Sequence, residues 1–180
     1  MKKNIGSVLA LYPTPVVVAG TMINQKPNWL LVAHVGIIGH DRIMISCAKQ
    51  HYTNKGIKEK GAVSLALVNE AMLPNADFVG SVSGSKIDKS EVFSYLVGDY
   101  GVPIIEEAPL VMECSVEDIY DFDNFDNFIL KIQNTYAEPS VLSENGTVDY
   151  MKIKPVLFDM PNYEYIRTGD VIGTCLKLGK

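Results

Sequence analysis

Ser81-Val82-Ser83-Gly84-Ser85-Lys86-Ile87-Asp88-Lys89 crowds hydroxyls, a glycine and two lysines into one short run. Such a set can hold a phosphate without a metal: hydroxyls and backbone N–H groups donate hydrogen bonds, lysines add full charge, and a helix start adds partial positive charge. The spacing predicts a turn opening an amphipathic helix from Asp88 to Val97. Asp88 and Glu91 stand in capping-box spacing, with Val92, Phe93, Leu96 and Val97 on one face. A solvated loop with a helix cap is the plainer alternative.

Three earlier stretches carry groups that could share a ligand with this turn. Asn28-Trp29-Leu30-Leu31-Val32-Ala33-His34 combines apolar residues with one amide. Ser46-Cys47-Ala48 closes an apolar run, and His51-Tyr52-Thr53-Asn54 places polar groups at a predicted helix start. Together they suit a flat ring system with a phosphate tail, strand backbone and small side chains facing the ring while hydroxyls and helix starts take the phosphate. Each piece also has an ordinary structural explanation. Trp29, Leu30 and Leu31 fit a core, Ser46 a buried hydroxyl bonded to backbone, and Thr53 an N-cap.

Other chemistries find less support. There is no Gly-x-Gly-x-x-Gly after a strand, no Gly-x-x-x-x-Gly-Lys-Ser/Thr, no Gly-x-Ser-x-Gly and no His-Glu-x-x-His. His34, His40 and His51 lack metal-ligand spacing and read as structural groups or polar pocket walls. Asp121-Phe122-Asp123-Asn124-Phe125-Asp126-Asn127 lacks the central Gly and distal Glu of a calcium loop, so it reads as a hairpin turn with aromatic anchors. Cys47, Cys114 and Cys175 form no Cys-x-x-Cys pair and are expected to be reduced thiols of a cytoplasmic protein. A net charge of −5 disfavours nucleic acid. The apolar stretch from Val16 to Ile38 is broken by Gly20, Lys26, Pro27 and His34, so no membrane span is expected. The basic start is followed by Pro13 and Pro15, and no secretory signal is read there. A small-molecule partner is expected.

The elements that must position these groups are mostly strands. With 180 residues and 47% hydrophobic content, one domain over residues 1–180 is expected. Val16 to Gly20 predicts a buried strand, Asn24 to Pro27 a turn, and Trp29 to Val35 the returning strand of a hairpin. Ile43 to Ala48 predicts a strand with both faces covered, His51 to Lys60 a short helix opening near Thr53 and ended by Gly61, and Ala62 to Val68 another strand. Glu70 to Val79 predicts a helix. Met112, Cys114 and Val116 alternate with Glu113, Ser115 and Glu117, as in a strand with one face on a core and one in water, and Phe128 to Gln133 repeats the pattern. Glu144 to Thr147 marks a turn, Val156 to Phe158 a short strand, and Gly169 to Lys180 a final segment. The fold class is therefore mainly β with inserted helices, an antiparallel sheet closed or nearly closed.

Pro15-Val16-Val17-Val18, Lys26-Pro27-Asn28, Val32-Ala33, Ser46 to Thr53, Ala76 to Gly84 with Asp88-Lys89, Ala108-Pro109-Leu110, Glu113-Cys114 and Tyr165 to Gly173 carry a resemblance over nearly the whole chain. It resembles the flavin reductase-like, FMN-binding split-barrel family that includes the flavoredoxins. The most specific element is Gly-x-x-Ser-Gly-x-x-x-Asp-Lys at Gly80 to Lys89, placed after Tyr52-Thr53. The resemblance implies a six-stranded split barrel with Greek-key connections, a homodimer, and FMN near the dimer interface. It also implies site residues: Asn28, Trp29, Leu30, Leu31, Ala33 and His34 along the ring and ribityl chain, and Ser46, Cys47 and Ala48 beside them. Tyr52, Thr53, Ser81, Ser83, Gly84 and Lys89 fall near the phosphate.

Leu31 stands where many members carry Thr, which removes a hydrogen bond to the flavin. His34 stands where Trp is frequent, and Ser85 where Arg is common, a loss Lys86 can partly restore. The resemblance implies an FMN-dependent oxidoreductase moving electrons from NAD(P)H or a redox protein to a small-molecule or metal-complex acceptor. A flavin carries this chemistry itself, consistent with the absence of an acid–base pair in the sequence. A non-catalytic flavin- or haem-binding module and a structural dimerisation domain remain the alternatives.

Overall fold

The apolar, β-branched runs become strands, and every strand pairing is antiparallel. The computed structural model describes residues 1–179. Its strands are β1 (Thr14–Pro15), β2 (Val17–Ile23), β3 (Lys26–Val32), β4 (Val35–Ile37), β5 (Arg42–Ala48), β6 (Ala62–Leu67), β7 (Tyr95–Val97), β8 (Pro103–Ile105), β9 (Leu110–Phe122), β10 (Phe125–Ala137), β11 (Val156–Asp159) and β12 (Glu164–Arg167). The α-helices are α1 (Tyr52–Lys60), α2 (Leu73–Ser81) and α3 (Tyr150–Ile153). Among the described residues no helix is long and apolar enough to cross a membrane.

The principal sheet runs β3-β2-β6-β9-β10-β5-β4, so strands distant in sequence lie side by side. It is the mainly β, antiparallel split barrel that the sequence predicts, with β4 extending the expected six strands to seven. β1-β11-β12 and β7-β8 form two smaller sheets. Side chains alternate between two cores because successive strand residues point to opposite faces. Val17, Ala19, Leu30, Val32, Ile45 and Phe128 fill one core with Ile57 of α1. Val18, Trp29 and Ala66 fill the other beneath Ala76 and Val79 of α2 and Phe93. The β2–β3 turn uses Asn24 (φ 51°) and Gln25 (φ 64°), the left-handed pair that fits a tight hairpin. Trp29 lies across Gly20, where a Cβ would meet its ring at 2.5 Å.

Several expectations need correction. No helix spans 88–97. Residues 88–94 are irregular, and Tyr95–Val97 is β7, paired with β8. Asp88 accepts from the Ser90 backbone N–H in a local turn, and Phe93 packs edge-on against Trp29 with ring centroids 5.6 Å apart. Burial of Phe93 thus outweighs the helical spacing. The returning hairpin strand runs Lys26–Val32 rather than to Val35. The helix predicted from Glu70 begins at Leu73, since Asn69 Oδ1 accepts from Met72 N in a preceding turn. On β5 only Ile43, Ile45 and Cys47 are buried. Met44 and Ser46 border a hollow with Leu9, Leu11 and Tyr12. Glu113 on β9, expected in water, is fully buried.

Candidate functional site

The sheet is split between β3 and β5, and the ends of these strands frame a slot. Ser46 N donates to His34 O at 3.0 Å, fixing one end. The slot, about 300 Å³, is lined by Leu30, Leu31, Ala33, His34, Ser46, Cys47 and Ala48, together with His51, Phe125 and Met160. Its walls are mostly apolar. Ser46 Oγ donates to Asn127 Oδ1, which anchors it to β10. His34 Nε2 is 3.0 Å from the Tyr12 hydroxyl, which also donates to Met160 Sδ at 3.3 Å. Burial and then the negative charge of Asp126 push the Cys47 thiol up to about 12, so it stays protonated and unreactive.

A polar corner lies further along β3. Asn28 stands two residues before Leu30, roughly 7 Å along an extended strand. Its Nδ2 donates to Thr53 Oγ1 at 2.7 Å, joining β3 to the first turn of α1. Gly84 packs onto this pair: a Cβ there would overlap Asn28 Oδ1 and sit 3.0 Å from the Tyr52 ring. The N-terminus of α1 has no side-chain cap and no acidic residue in its first turn, so its positive end is uncompensated. The corner encloses about 250 Å³, with Asn28, Tyr52, Gly84, Lys86 and Lys89 in its lining.

Lys89 decides the electrostatics. It is 3% exposed, and its ammonium donates to Val79 O at 2.9 Å and Val82 O at 3.1 Å. Among the described residues it forms no ion pair with a carboxylate. Burial pulls it down to about 8. His51 is lowered as well, first by burial and then by the charge of Lys89. A buried cation held only by carbonyls, beside an uncapped helix start, calls for an anion.

The structure therefore gathers most of the residues singled out from sequence. Leu30, Leu31, Ala33, His34, Ser46, Cys47 and Ala48 line the slot, while Asn28, Tyr52, Gly84 and Lys89 line the corner, with Thr53 bonded to Asn28. Three residues sit differently. The Trp29 side chain is sealed in the second core at 0% exposure. Ser81 ends α2 rather than preceding a helix, with its hydroxyl on Phe78 O, and lines an adjoining hollow with Leu31 and Ala33. The Ser83 hydroxyl pairs at the surface with that of Ser85. The helix start that serves the corner is that of α1, not one following the serines. Sequence reasoning missed Phe125, brought in by the β9–β10 hairpin, and Met160, which follows β11. Neither has a local signal; His51, which also lines the slot, belongs to the His51 to Asn54 stretch that the sequence marks as polar groups at a helix start. Among the described residues no group of His, Cys, Asp and Glu is placed to hold a metal ion.

Residues 9–166 match the family model described as "Flavin reductase like domain". The chain belongs to the flavin reductase-like family. Among solved structures, this flavin reductase-like chain is similar to flavoredoxin from Methanosarcina acetivorans, at 32% identity and TM-score 0.95 over 100% of this chain and 98% of that one. It is similar to flavoredoxin of Desulfovibrio vulgaris (Miyazaki F) at 29% identity and TM-score 0.91, over 100% of both chains. The FMN-binding protein from Thermus thermophilus shares the fold, at 19% identity and TM-score 0.81 over 97% of this chain and 98% of that one. No curated protein sequence matches the chain.

Proposed function

We propose that this flavin reductase-like chain binds FMN, its ring in the slot between β3 and β5 and its phosphate in the corner at Asn28, Thr53, Gly84 and Lys89. It would then act as an oxidoreductase between NAD(P)H or a redox protein and a small-molecule or metal-complex acceptor. One observation carries the reading: β3 borders both an apolar slot at Leu30 and, two residues away at Asn28, a polar corner where a buried lysine has carbonyl partners. The family match and the likeness to two flavoredoxins support it.

Bound FMN supplies the redox chemistry by accepting and passing on electrons. The chain binds and orients. Lys89 and the open start of α1 compensate the phosphate charge, Leu30, Leu31 and Ala33 exclude water from the ring, and Ser46 and the strand backbone offer fixed polar groups at its edge. His34 closes the slot in place of a bulkier aromatic, held by Tyr12. Leu9 and Leu11 are exposed and line a hollow that shares Ala33, His34 and Ser46 with the slot, apolar surface that suits a second copy, and the reading includes a homodimer. Three unpaired cysteines accord with a reducing, cytoplasmic setting.

The visible absorption spectrum of the purified protein tests this, followed by anaerobic addition of NADH and NADPH. A flavin band that bleaches with one nucleotide is expected. A colourless protein that takes up no added FMN ends the proposal, and a flavin band that neither nucleotide bleaches assigns the donor role to a redox protein.

A further inference from the structure

β9 carries a carboxylate that the flavin slot does not use. Glu113 is 0% exposed and lies in register with Ser64 on β6 and Asn134 on β10. A register shift between Ile132 and Asn134 bulges β10 and re-aims Asn134 toward it. Glu113 Oε1 accepts from the Tyr100 backbone N–H at 2.7 Å, and Oε2 accepts from Asn134 Nδ2 at 2.9 Å and from the Tyr136 hydroxyl at 3.0 Å. These donors satisfy an ionised carboxylate, but none brings a positive charge. Among the described residues Glu113 makes no ion pair, Lys60 packing instead against Gly101.

In front of this carboxylate lies a cavity of about 450 Å³. Gly98 forms part of its wall, and a Cβ at Gly98 would run into Glu113 Oε1, so only a glycine's thickness separates charge from cavity. Tyr136, on the same wall, carries its hydroxyl on Glu113. Ile104, Ile105 and Val111 form an apolar floor, Asp99, Glu106 and Glu138 stand on the rim, and among the described residues no lysine or arginine lines it. None of its lining residues is shared with the slot.

We propose that this cavity is a second ligand site for a small organic cation with an apolar body, an alkyl- or arylalkylammonium ion. The floor takes the apolar body out of water. The ammonium sits among the rim carboxylates and in front of Gly98, where it supplies the counter-charge that buried Glu113 lacks. The Tyr136 oxygen, whose proton is committed to Glu113, keeps lone pairs to accept from it. A neutral or anionic molecule of the same shape forgoes these terms.

The test is an amide-shift NMR titration of the full chain, with and without added FMN, using phenethylammonium as probe and 2-phenylethanol and 3-phenylpropionate as controls. Saturable shifts at Gly98, Asp99, Ile105 and Tyr136 are expected, with the ammonium binding about tenfold more tightly than the alcohol. Glu106→Gln and Tyr136→Phe should each weaken it several-fold while FMN uptake is unchanged. Glu113→Gln and Tyr136→Phe both disturb the buried hydrogen-bond set of Glu113, so the exposed Glu106→Gln variant carries the test. Equal binding of the alcohol, shifts confined to the slot, or no saturable shift overturns the proposal. So does a Leu96→Asp variant that converts a dimer to a monomer in sedimentation, because the cavity is then an interface between copies.

Discussion

The corner and the slot of the candidate flavin site are built from different materials. The corner is polar and tightly bonded: Asn28 is bonded to Thr53, Gly84 is pressed against both Asn28 and Tyr52, and Lys89 is buried on two carbonyls. The slot is mostly apolar, with walls from the ends of β3 and β5, a hairpin tip at Phe125 and the turn at Met160, and Tyr12 of the N-terminal arm holds two of its lining residues, His34 and Met160. On the proposed function, a charged corner ordered on folding governs FMN affinity, because its ordering cost is met before binding. A few hydrogen bonds at the slot set the behaviour of the ring. Breaking one end should therefore change binding, and altering the other should change potential.

Gly84→Val should have the largest effect, since a side chain there displaces Asn28 from Thr53. FMN affinity measured by flavin fluorescence should fall about 100-fold, roughly 2.7 kcal/mol. An unchanged affinity would place the phosphate elsewhere. Lys89→Met should cost about 30-fold, roughly 2 kcal/mol, by removing the buried charge. Lys89 also gives the corner a pH signature. Its folded value of about 8 lies below the ordinary 10.5, so between these values the unfolded chain holds the proton that the folded chain has released. Stability of the FMN-free protein in urea should thus rise between pH 8 and 10.5, while FMN affinity falls over the same window, and Lys89→Met should remove both trends.

At the slot the expected effects are smaller and of another kind. Leu31→Thr restores a hydroxyl beside the ring and should raise the two-electron midpoint potential by about 20 mV, equivalent to one neutral hydrogen bond of about 1 kcal/mol. Spectroelectrochemistry decides this, and no shift would remove Leu31 from the ring's edge. Tyr12→Phe releases His34 and Met160 and should weaken FMN by about threefold in the same fluorescence titration. A Tyr12 effect as large as that of Gly84 would erase the contrast between the two ends.

Most of the slot and corner was legible in the sequence because their residues sit at ends of strongly patterned elements. Ser46 to Ala48 closes an apolar strand, and Thr53 opens a helix that Gly61 ends with φ 66°. The serine-rich run contributes Gly84 and Lys89 to the lining of the corner, but not the helix start that its spacing predicts. Its hydroxyls follow the C-terminus of α2, where Lys89 folds back on the last carbonyls, and the free helix start is that of α1. Spacing shows which residues share a face, not which helix end a loop will meet. Glu113 departs from expectation for a related reason: its alternation with Met112 and Cys114 marks a two-faced strand, but Gly98 and Tyr100 of the β7–β8 connection cover the face expected in water.

The sequence by itself determined the antiparallel, mainly β class, the residues of each core face and the chemical character of the anion-holding run, because period-two patterning and turn chemistry are local properties. Tertiary structure alone decided that β3 and β5 stay apart to leave a slot, that Phe125 and Met160 complete it, that Lys89 is buried without a carboxylate, and that Glu113 lies behind Gly98. Those outcomes depend on contacts between segments far apart in the chain, and burial and counter-charge are properties of the surroundings, not of the residue that experiences them.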